Sequence, residues 1–239
     1  MNFYRESKNN CSIMQPCVFP YIGYFHLIQG SDLFVFYDDV NHIKRGWINR
    51  NRILLNGVDY LFTIPLQKAS QNKFINETQI ETNYQKKLLT QLRHAYINAP
   101  YYQQVFALVE SVLLKPHKYI SELGIDSIVS VYKYLNLDFR WGCSSSESST
   151  TRNLGRAERL IAITKQFNYN TYINLSGGKK LYDKHFFSQR ELDLKFVYST
   201  MVEYNQNQKE FIPSLSIIDV LMFNSIENVK EHFSLFTLT

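Results

Sequence analysis

The sequence predicts an α/β protein built on a mainly parallel, Rossmann-like sheet, with an N-terminal hairpin excursion and a helical insertion. Three observations predict this. Two continuous apolar runs, residues 13–19 and 33–37, are joined by a stretch with helical spacing; buried runs linked through a helix suggest a βαβ unit and parallel pairing. Asn56-Gly57 separates two further apolar runs, a strong hairpin signal because both residues tolerate positive φ. Residues 82–136 then carry apolar positions at helical steps.

In order along the chain, residues 13–19 read as a buried strand, broken by Pro16 and stopped by Pro20. Ile22, Phe25 and Ile28 mark a helix, and residues 33–37 a second strand that ends in Asp38-Asp39. The hairpin strands are residues 52–55 and 60–66. Leu88, Leu92, Ala95 and Tyr96 share a helix face that ends near Pro100. Residues 105–114 form another helix. A third has Ser121 as its N-cap and Ile125, Ile128, Tyr132 and Leu135 as its stripe. A short strand at 137–141 precedes CSSSESSTTR, residues 143–152, a polar low-complexity connector. A helix through Leu160, Ile163, Thr164 and Phe167, a strand at 171–175, a Ser176-Gly177-Gly178-Lys179 turn and a strand at 194–198 follow. A helix beyond Pro213 closes the pattern.

The chain of 239 residues is read as one domain, with the helical segment inserted. Hydrophobic residues at 45% and charged residues at 20% place it among globular rather than disordered chains. The net charge of +5 is spread along the sequence, so nucleic acid is not an expected partner. Three cysteines without a CxxC pair argue against a disulfide framework and fit a reducing, cytoplasmic setting. The N-terminus MNFYRESKNN lacks an apolar signal core, and no run approaches the length of a transmembrane helix.

Four stretches carry chemistry. In PYIGYF, a strand feeds a helix, whose first N–H groups favour an anion; Gly23 between Tyr21 and Tyr24 leaves room for a ligand or for close helix packing. DDVNHIKRGWINRNR, residues 38–52, follows the second strand, where open α/β sheets bind ligands. Lys44, Arg45 and Arg50 suit phosphate, Trp47 offers a stacking face, and Asp38 or Asp39 can accept a proton or hold Mg²⁺. The alternative is a solvated basic loop with local Asp–Arg pairs. In QLRHAYINAPYY, Arg93 and His94 sit late in a helix, where His94 is a base candidate or a structural residue. Ser176, Gly177 and Lys179 form a turn able to wrap phosphate, though it lacks the P-loop pattern. Cys143 is not expected to act as a nucleophile, since its neighbours include no His. The remaining histidines show no metal-binding spacing, so no metal site is expected.

MQPCVFPYIGYFHLI, YDDVNHIKRGWINRNRILLNG, LRHAYINAPYY, YINLSGGKKLYD and FIPSLSIIDVL, in that order, resemble the WbqC-like family. Gln15 and Asn49 lie within the first two of these motifs. Cys17 stands where an aromatic is usual, the 143–152 loop is expanded, and Asn174-Leu175 replaces a more compact Ser-Gly pattern. The resemblance implies a place in O-antigen or other surface-polysaccharide synthesis, with transfer of glycine or another small acyl group to an amino sugar. The layout of residues 20–28 is also similar to the HxGH nucleotidylyltransferase superfamily, to which pantothenate synthetase belongs. Tyr21 and Tyr24 here replace its His pair. That analogy implies an amide-forming enzyme with ATP as cofactor candidate.

The combined reading is a transferase acting on a nucleotide-linked amino sugar, with a small acyl or amino-acid donor. Gln15, Tyr21, Gly23, Tyr24, Lys44, Arg45, Trp47, Asn49, Arg50, Arg93, Ser176, Gly177 and Lys179 bind the ligand in this reading, and Asp38, Asp39 or His94 is the base. A non-catalytic nucleotide-sugar binding protein and a nucleotidyltransferase are the alternatives.

Overall fold

The computed structural model describes residues 9–68 and 70–239, so the N-terminal reading falls largely on residues outside it. The strands are β1 (Asn10–Met14), β2 (Leu33–Phe36), β3 (Arg50–Leu55), β4 (Val58–Thr63), β5 (Trp141–Cys143), β6 (Thr171–Leu175), β7 (Asp193–Ser199) and β8 (Phe236–Leu238). The helices are α1 (Ile22–Gly30), α2 (Gln85–Tyr96), α3 (Tyr102–Leu113), α4 (Ile120–Tyr134), α5 (Ser144–Glu147), α6 (Arg156–Gln166), α7 (Lys184–Ser188), α8 (Ile217–Phe223) and α9 (Ile226–Phe233).

Six strands form one sheet in the order β5-β2-β1-β6-β7-β8, and β3 and β4 pair separately. All pairs in the large sheet are parallel except β7 with β8. With the hairpin set aside, this is the Rossmann strand order with a reversed last strand. Alternating side chains serve two layers. Phe34, Phe36, Ile173 and Val197 face a core shared with α1, α4 and α9. Cys11, Ile13, Leu33, Val35, Tyr172, Leu194 and Phe196 face a second core under α6 and α7. Helices on both faces explain why these strands read as continuous apolar runs.

The first strand occupies residues 10–14 rather than 13–19. Pro16 has no N–H to give to a ladder, so pairing stops before it. The start is fixed upstream, where the Asn10 backbone N–H donates to Asp32 at 3.0 Å and its side-chain amide to the Gly30 carbonyl at 3.0 Å. The hairpin turns at Asn56 and Gly57, with φ of 54° and 78°, as a two-residue turn requires. Ser121 lies inside the first turn of α4 instead of capping it. Glu122 supplies the acceptor, taking the Lys118 and Tyr119 N–H groups at 2.7 and 3.0 Å. Residues 143–152, expected as a connector, fold into β5's end, α5 and a tight turn at Ser149–Thr151. Among the described residues no helix is long and apolar enough to cross a membrane.

One buried carboxylate ties the hairpin, the insertion and the C-terminal region together. Asp219 of α8 accepts from the hydroxyls of Tyr96 at 2.9 Å and Tyr204 at 2.7 Å, and from the Gln206 amide at 2.9 Å. The Tyr96 oxygen in turn accepts the Leu54 N–H at 3.1 Å. Burial pushes the Asp219 pKa up, against the pull of these hydrogen bonds. Asp219→Ala strands two hydroxyls and an amide in the core, and is expected to lower unfolding free energy by about 2–4 kcal/mol. Asp219→Asn, which keeps one acceptor, is expected to cost less. Urea midpoints check this; equal stability of Asp219→Ala and wild type contradicts the network.

Candidate functional site

The chain leaves β1 toward β2 on one side and β6 toward β7 on the other. Connections that diverge in this way leave a crevice beyond the carboxyl ends of the two central strands. A cavity of about 930 Å³ lies there, lined by Met14 and Gln15 around the end of β1 and by Asn174, Ser176 and Gly177 around the end of β6. The side chain of Asn174 accepts the Leu175 N–H at 2.8 Å, which shapes that end of β6. Gly177 has open space where a side chain would project, so the cavity reaches its backbone.

Gly23 resolves the Pro-Tyr-Ile-Gly-Tyr junction. A Cβ at Gly23 would collide with the ring of Tyr21, which folds back over the first turn of α1. The glycine therefore makes room for a tyrosine of its own segment, and Tyr21 lines the cavity. Tyr24 lies beneath, its ring against Phe34 and its hydroxyl donating to the Gln15 carbonyl at 2.9 Å. This bond holds the chain just past β1.

Asp38 and Asp39, at the end of β2, are both buried. Asp38 takes neutral donors: the Ser145 N–H at 3.0 Å, the Ser145 hydroxyl at 2.6 Å, Ser144 at 3.2 Å and Asn76 at 3.4 Å. Asp39 takes cations: Arg152 Nε at 2.6 Å and Arg159 Nη2 at 2.7 Å, together with the Ser144 hydroxyl. Burial alone would raise the Asp39 pKa, but donation from Arg152, Ser144 and Arg159 outweighs it and holds the carboxyl below its ordinary value. Arg159 is fully engaged, since it also donates to Thr151 at 3.1 Å and lies over the Tyr37 ring. Arg152 meets Asp39 through Nε and stays exposed. Arg156, on the same cavity wall, has no ion pair among the described residues. The lining thus carries three arginines against one carboxylate. Tyr21, Tyr37, Tyr172, Tyr182, Tyr198 and Phe74 add aromatic surface.

Of the residues singled out in the sequence, the cavity gathers Gln15, Tyr21, Asp39, Ser176 and Gly177. Residues 38–52 and 21–24 do meet there, through Asp39, Val40, Asn41, Ile43 and Tyr21. Asp38 is buried behind the wall. Lys44, Arg45, Trp47 and Lys179 are exposed and lie outside the lining. Asn49 and Arg50 serve local structure: Asn49 donates to the Ile64 carbonyl at 2.8 Å, and Arg50 to the Gly46 carbonyl at 2.8 Å while covering the Trp47 ring. Arg93 and His94 sit exposed on α2, with Arg93 over Phe106. Cys143 is half-buried, and burial with Asp38, Glu147 and Asp39 nearby pushes its thiol up to about 12. The arginines at 152, 156 and 159 were missed. Their four- and three-residue spacing at a helix start was the available signal.

The model of the WbqC-like protein family matches residues 15–231. An uncharacterized protein of Mycobacterium tuberculosis, Rv1507c, is 29% identical over 217 residues, covering 89% of this chain and 92% of its own length. No solved structure matches the chain.

Arg159→Met removes one partner of a buried pair and is expected to cost about 3–5 kcal/mol of stability, read from urea midpoints. The effect depends on pH in a defined direction. The folded Asp39 pKa lies below its ordinary 3.8, so the pairing contributes fully above that value and is lost as pH falls through the folded pKa. The stability gap between wild type and Asp39→Asn is therefore expected to be largest near neutrality and to shrink below about pH 4. A gap that widens on acidification contradicts the assignment.

Proposed function

The chain belongs to the WbqC-like protein family, and from that membership and the charge of the cavity we propose that it binds a nucleotide-linked amino sugar used in surface-polysaccharide synthesis. One observation carries the reading: at the switch point of the sheet, three arginines face one carboxylate, and Arg156 has no counter-ion among the described residues. A guanidinium with free donors beside an open cavity selects a phosphate or carboxylate. Tyrosine faces around it suit the rings of a base and a sugar. The volume of about 930 Å³ falls at the upper end of small-molecule sites.

In this reading the phosphate-binding role expected of Lys44 and Arg45 passes to Arg152 and Arg156. Asp39 positions Arg152 and turns its free edge outward. The reaction that such a ligand supports is acyl transfer. The sugar amine attacks the carbonyl carbon of an activated glycyl or other small acyl group, the C–N bond forms, and the leaving group departs with its electron pair. The amine's proton passes to the leaving group or to water. ATP remains a cofactor candidate, since the same cations suit any nucleotide polyphosphate.

A second reading, binding without catalysis, is favoured by a specific feature. Among the described residues that line the cavity there is no His, and the carboxylate of Asp39 is already engaged by two arginines. Incubation with ATP, glycine and a UDP- or dTDP-linked amino sugar separates the two. An amide product by mass spectrometry supports transfer, and saturable binding without product supports the binding protein.

Arg156→Ala is expected to weaken binding of nucleotide diphosphates and nucleotide sugars by about ten- to a hundred-fold, the loss of one charge-assisted pair. Arg156→Lys should restore part of it, and the melting temperature should barely move because the side chain is exposed. Arg152→Ala should lower affinity and stability together, and Arg45→Ala neither. Titration calorimetry with parallel melting curves checks the series. Unchanged affinity of Arg156→Ala for every nucleotide that binds wild type overturns the phosphate assignment.

A further inference from the structure

Around the cavity mouth, four large apolar side chains stand in solvent: Ile43 at 52% exposure, Leu154 at 46%, Leu181 at 60% and Met201 at 40%. Each also lines the cavity, so together they form its rim. Three of them lie between or beside cations. Ile43 is followed by Lys44 and Arg45, Leu154 lies between Arg152 and Arg156, and Leu181 follows Lys179 and Lys180; all six cations are exposed. The tracts 40–50, 149–157 and 176–182 contain no Asp or Glu. Trp47, at 54% exposure, stands in the first of them. The nearest carboxylates in sequence are those of Asp39, buried and paired with Arg152 and Arg159, Glu158, set against Gly155, and Asp183, which accepts the His185 N–H; Glu203 is exposed two residues beyond Met201.

We infer that this rim docks on an anionic lipid surface, with the cavity mouth turned toward the headgroups. Single apolar side chains at loop tips, each beside cations, match the two layers of a bilayer interface. The apolar groups enter the acyl boundary, and the cations stay among the phosphates. A Trp beside them suits the headgroup level. Charge selects this occupant over a second copy of the chain, because self-association through this rim would set cation against cation. The rim also surrounds an opening, so it offers no continuous groove for a helix or strand of a partner protein.

Sedimentation with large vesicles tests this on the whole chain. Vesicles of phosphatidylcholine with about 30% phosphatidylglycerol are compared with phosphatidylcholine alone at roughly 0.1 M salt. Wild type is expected to bind the anionic vesicles at least about tenfold better, and several-fold less at roughly 0.5 M salt. The triple variant Ile43→Ser, Leu154→Ser, Leu181→Ser, with unchanged circular dichroism, should bind about tenfold less. The double variant Ile97→Ser, Leu114→Ser removes exposed apolar groups that do not line the cavity, and should bind like wild type. Failure of folded wild type to bind, equal binding to neutral and anionic vesicles, or equal loss in both variants overturns the inference. So does a dimer by light scattering that the triple variant dissolves, since the rim would then be covered by a second copy.

Discussion

The carboxylates of Asp38 and Asp39 are held by a segment more than a hundred residues away, and the cavity takes its shape from that contact. Two adjacent anions buried at a strand end are expensive unless every lone pair is met. The chain meets them by dividing the donors. Asp38 receives hydroxyl, amide and backbone N–H groups, and Asp39 receives two guanidinium groups. Because all but Asn76 of these donors come from residues 144–159, the stretch that leaves β5 and enters α6, the contact pins that stretch to the end of β2. It also closes one wall of the crevice at the sheet's switch point. Arg152 then faces outward because Asp39 holds its inner edge, and Arg156 follows at the first position of α6.

The same geometry explains why the opening of the chain is built as it is. A loop of six residues separates β1 from the extended Tyr21 that begins α1, so the helix does not start directly at the strand end. Tyr24 ties that loop back through the Gln15 carbonyl, and Gly23 yields its side-chain space to the Tyr21 ring. The result is that Tyr21 presents an aromatic face to the cavity that the arginines also line. Family membership covers both, since the matched residues run from 15 to 231.

Much of this was legible from local pattern. The Asn56-Gly57 turn and the strand at β6 each depend on a few neighbouring residues, and each formed where the sequence pointed; the parallel sheet formed too, but with its first strand at 10–14 rather than 13–19 and β5 at 141–143 rather than 137–141. Residues 143–152 misled because serine-rich composition is shared by flexible connectors and by dense arrays of short-range donors. Only the distant aspartates distinguish the two. Lys44 and Arg45 looked like a phosphate site because cations follow a strand end. The chain turns outward after Asp39, however, and carries them to the rim. Arg152, Arg156 and Arg159 were visible as a spaced set, but their partner at the end of β2 was not. Long-range pairing is the part of the site that one-dimensional pattern does not hold.

The position of a bound anion distinguishes the arginine cavity from the basic loop. A crystal structure of the chain with uridine diphosphate tests it most directly. Phosphate oxygens are expected within about 3 Å of the Arg156 guanidinium and the outer edge of Arg152, with Asp39 still paired to Arg152 and Arg159. Phosphate seated on Lys44 and Arg45, with Arg156 free in solvent, would contradict it.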